Sequence, residues 1–156
     1  NTYGDAFDSD FSTGRVIDSH FIDSGNDSVD FSGSRVLISD VKIDNAGDKG
    51  VSAGEASTLT LRNLVVDGAE IGIASKDGSR VVGHAVEIKK SVIGLAAYQK
   101  KPEYGKAQID LKQSTLNSEI SLPFIYDEGS SISLNEEPLY MEKKKKELLI
   151  AKIAGA

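Results

Sequence analysis

Cysteine and tryptophan are absent from the chain, and aromatic residues make up only 6% of it. The first absence excludes disulfides and thiolate metal sites, while leaving the compartment open. The scarcity of rings leaves Val, Ile, Leu, Ala and Ser to fill the interior, alongside 15 Gly. No apolar run approaches the roughly 18 residues that a membrane helix requires, so no membrane insertion is expected. Positive charge is also in deficit. A net charge of −6 argues against nucleic acid or an anionic membrane as partner. No signal peptide precedes the patterned sequence. The chain opens at Asn1 without Met, which suggests a fragment or processed domain of a longer protein.

What is present is a folded composition, with 39% apolar and 27% charged residues in 156, enough for one domain or one piece of a repetitive one. A repeat runs through it. Phe7, Val29, Val51, Ile73 and Leu95 stand 22 residues apart, each preceded by a small residue: Ala6, Ser28, Gly50, Gly72 and Gly94. Two positions on come Ser9, Phe31, Ala53, Ser75 and Ala97, able to point to the same side.

A second ruler passes through Val36, Ile38, Val41 and Ile43. It recurs 23 residues later as Leu59, Leu61, Leu64 and Val66, and 22 later again as Val81, Gly83, Val86 and Ile88. Alternation within each set is the signature of strands with one buried face. The offset of three between Ile38 and Val41 predicts a bend. Turns such as "DNAGDKG" (44–50) and "SKDGS" (75–79) are rich in Asp, Asn, Gly and Ser, which tolerate positive φ.

Such a unit cannot bury its apolar face alone, whereas stacked coils about 4.8 Å apart can. The predicted fold is all-β: a right-handed, single-stranded parallel β-helix of about 22 residues per coil, spanning 1–136. "STGRVIDSHFID" (12–23) fits the second ruler only with one residue gained or lost. Between Leu95 and the pattern's return at Ile109 and Leu111, about six residues are extra, predicting a loop near 98–106. "EISLPFIYDEGSSISL" (119–134) reads as a last, irregular coil. Residues 137–156 read as a helical cap over the open end, started by Pro138, with Lys143–Lys146 a solvated face.

The runs "GNDSVDFSGSRVLISDVKIDNAGDKGVSAGEASTLTLRNLVVDGAEIGIASKDGS" and "IGLAAYQKKPEYG", within roughly residues 5–111, resemble the pectin-lyase-like β-helix superfamily. They look most like the β-helical segment of bacterial multidomain surface proteins, some of which carry spore-coat-H-like kinase or lamin-tail domains. The resemblance implies an extracellular or cell-surface setting in bacteria, with neighbouring domains of a parent chain as partners. It supplies no kinase here: a glycine-rich nucleotide loop, an HRD-like loop and a DFG are all missing.

Polygalacturonases of the same class place carboxylates on adjacent coils to flank a glycosidic bond. "GND" (25–27), "GDK" (47–49) and "GHA" (83–85) imitate their "NTD", "GDD" and "GHG" motifs. The imitation fails at Lys49, which replaces the second carboxylate, and at His84, which falls 36 residues after Asp48 on another strand. Asp27 and Asp48 therefore read as turn residues, and no catalytic residue is assigned.

No cofactor is expected. Calcium is the one cation whose ligand chemistry the acidic positions 5, 8, 10, 18, 23, 27 and 30 offer, although ligand type does not establish convergence. The expected binding residues are Tyr98, Lys100, Lys101 and Tyr104, two rings and two cations on a loop held by a rigid frame. They suit polysaccharide or protein. The function expected is a non-catalytic structural or binding module. The alternative is a polysaccharide lyase or glycoside hydrolase whose site lies partly on further coils.

Overall fold

The structure, a computed structural model, describes residues 1–141 and 143–154; the side chains at 143–145, 148, 149 and 154 lie outside the description. Twelve strands run in chain order: β1 (Phe7–Asp10), β2 (Thr13–Ser24), β3 (Val29–Ser32), β4 (Arg35–Ala46), β5 (Lys49–Gly54), β6 (Thr58–Lys76), β7 (Arg80–Tyr98), β8 (Gln108–Lys112), β9 (Thr115–Leu116), β10 (Leu122–Tyr126), β11 (Ser131–Leu134) and β12 (Glu137–Pro138). One helix, α1 (Lys143–Ala154), follows.

Every pairing but the last is parallel. The chain is therefore a parallel β-helix of about six turns. Three walls enclose the axis. The first wall is built from β1, β3, β5, the ends of β6 and β7, and β10. The second and third walls come from the two halves of β2, β4, β6 and β7, continued by β8, β11 and β9.

The predicted column is present. Phe7 pairs with Val29, Val29 with Val51, Val51 with Ile73 and Ile73 with Leu95, and Phe124 extends it. Its inner members are fully buried, while Phe7 on the first rung stays 41% exposed and leans its ring on Phe31, 5.8 Å between centroids. The second ruler pairs in the same way, Ile38 with Leu61 and Leu61 with Gly83.

The bend between Ile38 and Val41 is a single left-handed residue. Asp18, Asp40, Asn63, Ala85 and Gln113 carry φ of 48°, 56°, 50°, 56° and 46° on successive coils. One such residue turns the strand without breaking it, and the inward side resumes after an offset of three. Asn and Asp suit this conformation because their side chains bond locally. Asn63 donates Nδ2–H to Asp40 Oδ1 at 2.7 Å.

The small-residue column has a steric cause. A Cβ on Gly50 would stand 2.6 Å from the carbonyl oxygen of Gly72, and one on Gly72 would stand 2.7 Å from that of Gly94. Gly83 makes room in a different way: a Cβ there would meet Leu111 at 2.6 Å.

Three expectations need correction. The first coil needs no gained or lost residue, because Gly14, Val16, Ser19 and Phe21 pair with Val36, Ile38, Val41 and Ile43 at a shift of 22. Pro138 does not start a helix. It lies in β12, which turns back antiparallel on β11 and covers the last rung's edge, with Leu139 packed against the interior. The helix begins five residues later, and its Ile150 and Ile153 pack on the outward face of the first wall, against Ile71, Ala74, Ile93, Ala96, Tyr98 and Ile125. Within the lysine run, Lys146 is half-buried, with Nζ 3.9 Å from the Tyr126 ring centroid, a cation–π contact. Among the described residues no helix is long and apolar enough to cross a membrane.

Candidate functional site

Outward residues of the first wall stack in columns just as inward ones do, but their chemistry changes along the axis. One column runs Asp8, Asp30, Ser52, Ala74, Ala96. Its neighbour passes from Lys49 through Ile71 and Ile93 to Leu122. The face is thus acidic at its first rungs and apolar at its last, and lysine side chains mark the change.

The acidic end is tied into the frame. Asp5 Oδ1 accepts the N–H of Asp27 at 3.0 Å and the side-chain amide of Asn26 at 2.7 Å. Asp27 Oδ1 in turn accepts the N–H of Lys49 at 3.0 Å. Burial pushes the Asp27 carboxyl up to about 6, against the attraction of Lys49. Burial also works against the Lys49 ammonium, but Asp48 at 2.5 Å and Asp27 at 3.8 Å outweigh it and hold its pKa above the ordinary lysine value.

Oxygens of Asp5, Asp8 and Asp30 come within 4.8 Å of one another, so three of the acidic positions converge. The two hydrogen bonds that Asp5 Oδ1 accepts account for its position without an ion. The Asp8 carboxyl lies above its usual range through desolvation and then the repulsion of Asp10, Asp30 and Asp5.

At the apolar end, α1 folds back along the wall and leaves a groove of about 440 Å³. Ile71, Val92, Ile93, Leu122, Ile125 and Ile153 line it. Polar groups enter from one side: Tyr98, with Lys49, Lys76, Lys100 and Lys152 against Asp48 and Glu70. Lys76 lies back over the neighbouring coil, its Nζ 3.9 Å from where a Gly54 Cβ would be. Burial holds its amine below the ordinary lysine value, with Asp30 opposing. Tyr98 is 2% exposed, and burial pushes its phenol up to about 12, Lys49 opposing.

Of the four residues expected on the loop, the structure brings Tyr98 and Lys100 to the groove and sends the other two elsewhere. Tyr98 is the last residue of β7, paired with Lys76 on the coil below, rather than part of the excursion. Lys101 ion-pairs with Glu55, and Tyr104 is half-buried outside the groove lining. The loop is held firmly. Asp77 Oδ1 accepts the N–H groups of both Lys100 and Lys101 at 2.6 Å, and the Gln99 amide donates to the Tyr104 carbonyl.

Lys49 and Lys76 were not expected at a site. The available signal was their register: Lys49 stands where later coils have Ile71 and Ile93. His84 is exposed on the second wall beside Lys112 and Glu136, away from Asp27 and Asp48. Compared with family models, curated proteins and solved structures, the chain matches none.

Proposed function

We propose that the chain is a non-catalytic β-helix module of a larger bacterial surface or secreted protein, a rigid spacer that also offers one face to glycan or protein. The observation that supports this reading is how three carboxylates in the turns beside the first wall are spent. Asp5 holds the amide of Asp27, Asp27 that of Lys49, and Asp77 those of Lys100 and Lys101. Each acidic group ties one coil to the next. A glycosidase instead needs two carboxyls facing each other across the bond to be cleaved. A glycan array and a pulldown with the module test the contact face, and no ligand in either reduces the function to spacing.

One observation favours the second reading, a polysaccharide lyase or hydrolase with its site partly on further coils. A carboxyl held near 6, beside the same wall as a half-buried lysine, is the kind of proton carrier such chemistry needs. Release of unsaturated or reducing sugars from acidic polysaccharides by the parent protein would support it. Release of neither removes it.

A further inference from the structure

We propose that the groove between the first wall and α1 binds a small amphipathic carboxylate, its apolar body on Ile93, Leu122, Ile125 and Ile153 and its carboxylate between Lys76 and Tyr98. This site is independent of the spacer reading, which concerns what the rod does for its parent chain.

Three observations converge on it. The first is two donors with nothing to receive them. Among the described residues the Tyr98 hydroxyl makes no hydrogen bond, and unlike Ser52 Oγ and Asp127 Oδ1 it is not sealed from solvent: on a residue only 2% exposed, it opens onto the groove. The Lys76 ammonium, lining the same groove, has no hydrogen bond and no carboxylate within 4.0 Å among the described residues, whereas Lys49 beside it is paired twice. Tyr98 and Lys76 are register partners on adjacent coils and both line the groove; a carboxylate there takes a charge-assisted bond from the ammonium, with the phenol placed by the proposal as its second donor.

The second is the place of Lys76 in the charge pattern. Asp30, Asp27 and Asp77 attract its ammonium, yet among the described residues no carboxylate comes within 4.0 Å of it, so an anion entering over the apolar floor meets a cation still open to a close partner. The third is the apolar floor. A sugar would leave its hydroxyls facing isoleucine and leucine side chains without partners, at a cost for each, whereas an alkyl or aryl chain gains from burial. The volume of about 440 Å³ lies within the range of small-molecule sites.

Isothermal titration of the protein with decanoate, decanol and decylammonium, all below micelle formation, tests the proposal. Saturable 1:1 binding of decanoate is expected, at least tenfold tighter than decanol, with decylammonium weaker still. Lys76→Met keeps the stem and removes the charge. It should weaken decanoate at least tenfold and leave decanol within about twofold, while thermal unfolding shows that the variant folds. Tyr98→Phe should weaken decanoate severalfold. Equal binding of decanoate and decanol, undiminished decanoate binding by Lys76→Met, or no saturable decanoate binding up to millimolar concentration would each overturn the site.

Discussion

Asp27 and Lys49, one coil apart, are joined more closely through the backbone than through their charges. The carboxylate accepts the lysine N–H at 3.0 Å, while the ammonium of the same lysine turns to Asp48 at 2.5 Å and leaves Asp27 at 3.8 Å. Asp27 thus bears the cost of burial without a close counter-ion, and its carboxyl is pushed up to about 6 from 3.8.

The sign of the consequence follows. With the folded-state pKa above the unfolded one, the native state holds the extra proton between about pH 4 and 6, so stability from this group rises as pH falls through that window. The span is worth about 1–2 kcal/mol after solvent screening. Asp27→Asn, whose amide oxygen still accepts the Lys49 N–H, should stabilise the protein at pH 7 and flatten this part of the pH dependence. Urea midpoints for both proteins at pH 4 and pH 7 check it; equal slopes refute it.

Gly72 should tolerate no side chain. The carbonyl of Gly94 and the Ile88 side chain both lie 2.7 Å from an added Cβ, and the carbonyl is fixed by the next coil. Gly72→Ala should therefore cost about 1–3 kcal/mol or more through overpacking. Gly14→Ala, where nothing lies within 4 Å, should be close to neutral. Thermal melts of the two variants side by side separate a steric effect from a general dislike of alanine in a strand.

The interior was legible because stacking forces like onto like. Val51, Ile73 and Leu95 must fill the same dry column, so their spacing survives in the chain as a ruler. The first coil was misread where that pressure is relaxed: Gly14 and Ser19 occupy positions held by Val36 and Val41 one coil on, and the ruler loses its marks. The groove was illegible for another reason. Its second wall is α1, which returns to Ile71 and Ile93 from far along the chain, and no local period encodes a docking of that kind. Outward apolar residues at those two positions were the trace it left. The loop residues were half right because Tyr98 obeys the strand register and Lys101 obeys Glu55.

Serine hydroxyls form a second inner ladder. The N–H of Ser12 donates to Ser34 Oγ, that of Ser34 to Ser57 Oγ and that of Ser57 to Ser79 Oγ, at 3.0, 3.0 and 3.1 Å. Ser57 is 1% exposed and also donates to the Gly54 carbonyl at 2.7 Å. Ser57→Ala strands a buried amide, at a cost of about 1–3 kcal/mol. Amide hydrogen exchange should lose protection at Ser34 in particular. Uniform loss along all coils, or none, would contradict the ladder.

Ala85 sits in the left-handed column at φ 56° where earlier coils place Asp40 and Asn63. Alanine gains nothing there and carries a steric penalty of roughly 1 kcal/mol that asparagine largely escapes. Asparagine would also extend the side-chain ladder that Asn63 forms with Asp40 at 2.7 Å. Because Ala85 is exposed, the larger side chain displaces nothing. Ala85→Asn should therefore stabilise the fold by about 1 kcal/mol, whereas Ala85→Val should destabilise it, since a β-branched residue fits this conformation worst. Urea midpoints of the two variants should move in opposite directions. Movement in the same direction would mean that the corner, and with it the offset of three that shapes every coil, is not set by backbone conformation at this residue.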